Sequence, residues 1–110
     1  MEKVLLYAFT SDWIKITIDA YFDDKENLII DGYDIGKRVK EVWGDSDYEY
    51  TTTIKPDDVV HLYALLNITN GNKKELLTYL QNHYNTNSCY SELQNFLDHH
   101  KIKYEGFSWR

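Results

Sequence analysis

From Ile14 to Phe22 every second residue is apolar: Ile14, Ile16, Ile18, Ala20 and Phe22 alternate with Lys15, Thr17, Asp19 and Tyr21. A period of two sends these sets to opposite faces of a β-strand, one toward a core and one toward water. Residues 4–10 before it are apolar on both alternating faces, which suits a central or well-covered strand. Ser11-Asp12 supplies the turn between them. Asp23-Asp24-Lys25-Glu26-Asn27 reads as a polar hairpin loop and residues 28–33 as the return strand, with Gly32 weakening its end or marking a bulge. Asp34-Ile35-Gly36 breaks the pattern. Residues 36–43 then predict a short helix, with Val39 and Trp43 one turn apart and Gly44 as its stop. A fourth strand over residues 48–54 is bounded by an acidic turn and by Pro56.

After Pro56 the period changes. Pro56 with Asp57 and Asp58 makes a helix start, because proline is tolerated in a first turn and acids suit the positive end of the dipole. Val59, Leu62, Tyr63 and Leu66 follow at helical spacing. Asn70-Gly71-Asn72 ends that unit. Leu76, Leu77, Leu80 and Tyr84 make a second stripe, and Tyr90, Leu93, Phe96, Leu97 and His100 a third, with Ser88 placed as its N-cap. Residues 102–109, holding Tyr104, Phe107 and Trp109, read as a closing strand. The sum is an α+β fold in a single domain over residues 1–110: an antiparallel sheet of about five strands with three helices packed on one face.

Charge narrows the partners. The 110 residues carry a formal net charge of −6, and residues 12–58 hold 13 acids against 6 bases. The strand-rich part therefore carries the acidity, which argues against nucleic acid or an anionic membrane as partner. Cys89 is alone, so no internal disulfide forms, and a reducing, cytoplasmic setting fits. The apolar run at residues 4–9 is too short for a signal peptide or a membrane span.

No catalytic signature emerges. Asp45, Asp47 and Glu49 have the alternate spacing of a calcium loop, but Tyr50 and Pro56 stand where an EF-hand needs Gly and Glu. His83, Cys89, His99 and His100 lack zinc-ligand spacing. His100 is expected as a packed helix-end residue. Gly36-Lys37 lacks the second Gly and the Ser or Thr of a phosphate loop. Cys89 lies near a helix start, where a thiolate gains some stability, yet no base or oxyanion donor accompanies it, and a buried, inert thiol is the plainer reading. Neither metal nor cofactor is expected. Tyr48 and Tyr50 share one face of the fourth strand and Glu49 takes the other. Either face can be core; an exposed tyrosine face rimmed by carboxylates has the chemistry of an interface hot spot.

The run Leu28-Ile29-Ile30-Asp31-Gly32-Tyr33-Asp34-Ile35-Gly36, followed by Val39, Glu41 and Trp43-Gly44-Asp45-Ser46-Asp47-Tyr48-Glu49-Tyr50, resembles a group of small stand-alone bacterial domains similar to the immunity proteins of toxin systems. The ending Ile102-Lys103-Tyr104-Glu105-Gly106-Phe107-Ser108-Trp109 resembles theirs as well. The resemblance implies a shared fold before a shared activity. With the acidic strands, it leads to an expected role as a cytoplasmic binding protein that covers a basic, nuclease-like toxin, its contacts being Asp31, Asp34, Asp45, Asp47, Tyr48 and Glu49. The alternatives are a small enzyme using the acidic turn or Cys89, which requires a deep carboxylate-lined pocket, and a homodimeric structural protein.

Overall fold

The computed structural model describes residues 3–36 and 47–109. Among them five strands, β1 (Lys3–Thr10), β2 (Ile14–Phe22), β3 (Leu28–Gly36), β4 (Asp47–Ile54) and β5 (Glu105–Trp109), form one antiparallel sheet in the order β1-β2-β3-β4-β5. Three helices, α1 (Pro56–Leu65), α2 (Lys73–His83) and α3 (Cys89–His99), are inserted between β4 and β5. The α+β architecture expected from the hydrophobic pattern is the one observed. The short helix expected over residues 36–43 falls, beyond Gly36, outside the described residues.

The core lies between one face of the sheet and the helices. Ile18, Ala20 and Phe22 of β2, Leu28 and Ile30 of β3 and Ile54 of β4 meet Leu62, Leu76, Leu77, Leu80, Leu93 and Leu97 from the helices. Cys89 joins them, fully buried. Each helix end has a local cause. Pro56 opens α1 with Asp57 and Asp58 in its first turn. Asn72 caps α2 by accepting from the Glu75 N–H at 3.2 Å, and its side-chain amide donates to the Glu75 carboxylate at 2.9 Å. Helices α1 and α3 close alike: Asn67 and Lys101 take left-handed φ of 58°, and the next residue, Ile68 or Ile102, donates back five residues and buries its side chain. That is the Schellman arrangement with its apolar contact.

Two local expectations are corrected, and a third, Ser88 at the N-cap, is met in position. β1 is not central but an edge strand, with Leu5 and Phe9 nearly half exposed. A register shift between Leu5 and Tyr7 breaks its alternation, Leu6 is buried, and the Gln81 side chain donates to the Leu5 carbonyl at 3.1 Å, occupying part of the open edge. Ser88 stands at the N-cap of α3 but its hydroxyl makes no cap bond; Thr86 beside it accepts from the Ser88 N–H and donates to Glu92. His100 is exposed rather than packed, its ring lying against Phe96 and His99.

β3 continues through Gly32 to Gly36 because it is paired on both sides, with β2 and with β4. Gly32 faces Tyr50 across the β3–β4 ladder, and a Cβ there would stand 1.9 Å from the Tyr50 ring. The ring lies over the bare glycine, covering a stretch of backbone that a strand glycine otherwise leaves open. Gly32→Ala is therefore expected to cost about 1–3 kcal/mol by forcing the ring aside. Gly106→Ala, where the nearest atom is 3.9 Å away, should stay within about 0.5 kcal/mol. Urea denaturation of both variants checks the contrast.

Candidate functional site

The register of the strands decides which acids come together. Asp19 of β2 pairs directly with Asp31 of β3, and Asp31 in turn with Thr51 of β4. Two pairs along the ladder, on the same face, Tyr33 lies opposite Glu49. By alternation these residues, with Tyr21 and Ile29, point away from the helices, and among the described residues no helix covers that face. Asp31, Tyr33 and Glu49 are half-buried by their strand neighbours, whereas Leu5, Ile35 and Phe107 at the margins are exposed.

Asp19 and Asp31 are like charges directly opposite, an arrangement that costs stability in a sheet. The structure moderates it at each end. The Thr51 hydroxyl donates to Asp31 at 3.0 Å, and Lys3 comes within 3.9 Å of Asp19 while lying over the Tyr21 ring. Even so, burial raises the Asp19 carboxyl above the usual carboxylate range; Lys3 draws it back and Asp31 raises it further. The Tyr21 phenol registers the same field. Burial raises it, and the carboxylates of Asp31, Asp23, Glu49 and Asp19 each add to the rise.

The six contact residues expected from the sequence are split by this geometry. Asp31 and Glu49 sit on the open face. Asp47 pairs with Ile35 at the start of β4, and its side chain, like all of Asp45, lies outside what is described. Asp34 and Tyr48 are elsewhere: they face the helix side, three residues from Asp31 and one from Glu49, and odd separations along a strand reverse the face. There the Tyr50 hydroxyl donates to Asp34 at 3.0 Å. Burial raises the Asp34 carboxyl, and that hydrogen bond only partly offsets it. Tyr50 packs edge-on against Tyr90 of α3, with ring centroids 4.8 Å apart, and 5.5 Å from Tyr48. Asp19 and Tyr21 belong to the open face and were not among the expected contacts. The alternation of β2 already put them on its water side; only the register shows that they adjoin Asp31.

Cys89 faces the core at 0% exposure, and burial pushes its thiol up to about 11, so it stays protonated at neutral pH. Among the described residues no three His, Cys, Asp or Glu side chains gather closely enough to hold a metal ion, and no helix is long and apolar enough to cross a membrane. Set against known protein families, curated proteins and solved structures, the chain matches none.

Two of these acids oppose folding when ionised. The carboxyls of Asp19 and Asp34 are raised in the fold, so each contributes stability fully below its unfolded value and loses it as pH rises through the folded one. Asp34→Asn and Asp19→Asn should therefore raise the melting temperature at neutral pH, with a gain that shrinks toward about pH 4. Asp23 has the opposite sign. Slight burial works to raise it, but bonds from the Asn27 side chain and the Asn27 and Lys25 N–H groups outweigh that and hold it low. Asp23→Ala should lower the melting temperature at neutral pH, with a loss that fades as pH falls below about 4. Calorimetry of the three variants across pH checks both signs.

Proposed function

We propose that this chain is a small acidic protein-binding domain that neutralises a basic protein, in the manner of an immunity protein against a nuclease-like toxin, with the sheet face opposite the helices as its contact surface. The observation that carries the reading is the Asp19–Asp31 pair: two carboxylates held opposite each other on a face that no described helix covers. A lysine or arginine from a partner would relieve that repulsion on docking, so association gains what the free fold gives up. Glu49 extends the negative field, and Tyr21 and Tyr33 supply the ring surface that interface hot spots favour.

Size supports the reading. Five strands spaced about 4.8 Å apart and about eight residues long give a face of roughly 24 by 26 Å, about 600 Å². A standard specific interface takes about 800 Å² from each partner, so the sheet face with Leu5, Ile35 and Phe107 at its rim comes near that range. The net charge of −6 would speed the encounter with a basic partner, by roughly 10–10³-fold at low salt. The single, buried thiol suits a reducing cytoplasm.

The test is co-expression with the protein encoded by the neighbouring gene. The parent chain should relieve the growth arrest that this neighbour causes. Asp31→Lys combined with Glu49→Lys should abolish relief and weaken binding of the purified pair by about a hundredfold or more. Asp57→Lys, on α1 and away from the face, should leave both unchanged. Relief that survives the double reversal, or an acidic neighbour bound with no dependence on salt, would overturn the proposal.

A further inference from the structure

On the helix side of the sheet, beyond the end of the apolar core, the upper parts of β3 and β4, residues 106–108 of β5 and the first turns of α3 line an open groove of about 570 Å³. Its walls include the rings of Tyr48, Tyr50 and Tyr90, the Asp34 carboxylate and the amides of Asn87 and Gln94. Among its described lining residues Asp34 is the one formal charge, and no Lys, Arg or His joins it.

We propose that this groove is a binding site for one organic cation, an ammonium head group seated between the tyrosine rings and the Asp34 carboxylate. Ring faces attract cations through their quadrupole, most effectively where water is partly excluded, and a carboxylate beside them adds a full opposing charge.

The groove is held in shape independently of any ligand. Gln94 donates to the Thr52 hydroxyl at 2.9 Å and Thr52 donates to the Tyr90 hydroxyl at 2.7 Å, fixing the Tyr90 ring from below. Tyr50 is fixed by Gly32 beneath it, by the edge contact with Tyr90 and by its hydrogen bond to Asp34. Among the described residues that bond, to Oδ1, is the one hydrogen bond Asp34 makes, and its donor is a neutral phenol that brings no opposing charge. Burial raises the Asp34 carboxyl, and burial together with the neighbouring Asp34 carboxylate raises the Tyr50 phenol.

Other ligand classes fit less well. An anion would meet Asp34 with no cation to hold it. At the start of α3 the Cys89 N–H already donates to the Thr86 carbonyl at 3.0 Å, so that donor is not open to an anion. A divalent metal would find one carboxylate where it needs several oxygen ligands.

The inference is independent of the function proposed for the open face, since the groove lies on the other side of the sheet. The ammonium group can come from a free small molecule or from a lysine side chain, and the probes separate these sources. The full chain is titrated with tetramethylammonium, with N-acetyl-lysine methylamide and with 3,3-dimethyl-1-butanol, a neutral mimic of choline's shape, while ring signals of Tyr48, Tyr50 and Tyr90 are followed by NMR. Saturable binding of at least one cation in the millimolar range, with the neutral mimic at least about tenfold weaker, is expected. Tighter binding of tetramethylammonium points to a free ligand, and tighter binding of the lysine derivative to a protein side chain. Asp34→Asn, which should fold more stably than the parent, and Tyr48→Ala should each weaken the cation by at least about tenfold. Equal binding of the neutral mimic, unchanged affinity in Asp34→Asn, or no saturable shift of these rings with either cation would overturn the site.

Discussion

Helix cover on one side of the sheet only, among the described residues, is the constraint from which the rest of this structure follows. Three amphipathic helices placed between β4 and β5 supply enough apolar surface for one face of a five-stranded sheet, and the other face must then manage without them. Its strands carry polar and charged residues at alternate positions, so the exposed surface is acidic and aromatic by construction. Helix cover also thins along the sheet. Where Leu28, Ile30 and Ile54 face the helices the interior is apolar; farther along, Thr52, Tyr50 and Asp34 take the same side and bond to one another or to α3. The tyrosine lying over Gly32 marks the change from packed core to polar groove.

Both candidate surfaces include a carboxylate placed where it opposes folding. Asp19 is set against Asp31 without full compensation, and Asp34 is withdrawn from water with, among the described residues, a neutral hydroxyl as its hydrogen-bond partner. Surface substitutions rarely matter to stability by more than a few tenths of a kcal/mol, so acids kept at unfavourable positions need a reason beyond solubility. The proposed cationic partners would relieve the repulsion in the first case and supply an opposing charge in the second. On the proposed reading the same physics would make the free protein slightly less stable and a complex with a cation more so.

Much of this was legible in the chain. The alternation of β2, the three helical stripes, the proline start of α1 and the closing strand follow from periodicity and capping chemistry. β1 misled because an apolar run with no alternation looks central; its bulge and the glutamine on its edge carbonyl are tertiary facts. Gly32 looked like a strand end because a glycine alone weakens a strand, and only the partner across the ladder supplies the missing ring. The candidate contacts were half legible. Treating Asp34 as lying past the strand hid the parity rule that, once β3 runs to Gly36, puts it on the face opposite Asp31. Asp19 had to await the register, which no local pattern specifies.

The central claim is that the open sheet face, and not the helical layer, meets a basic partner. Amide chemical shifts of the isotope-labelled chain, recorded while the purified product of the neighbouring gene is added, test it most directly. The account predicts that shifts concentrate at residues 17–21, 29–33 and 49–53 and weaken as salt is raised. Shifts confined to α1, α2 and α3, with those strands unmoved, would contradict it.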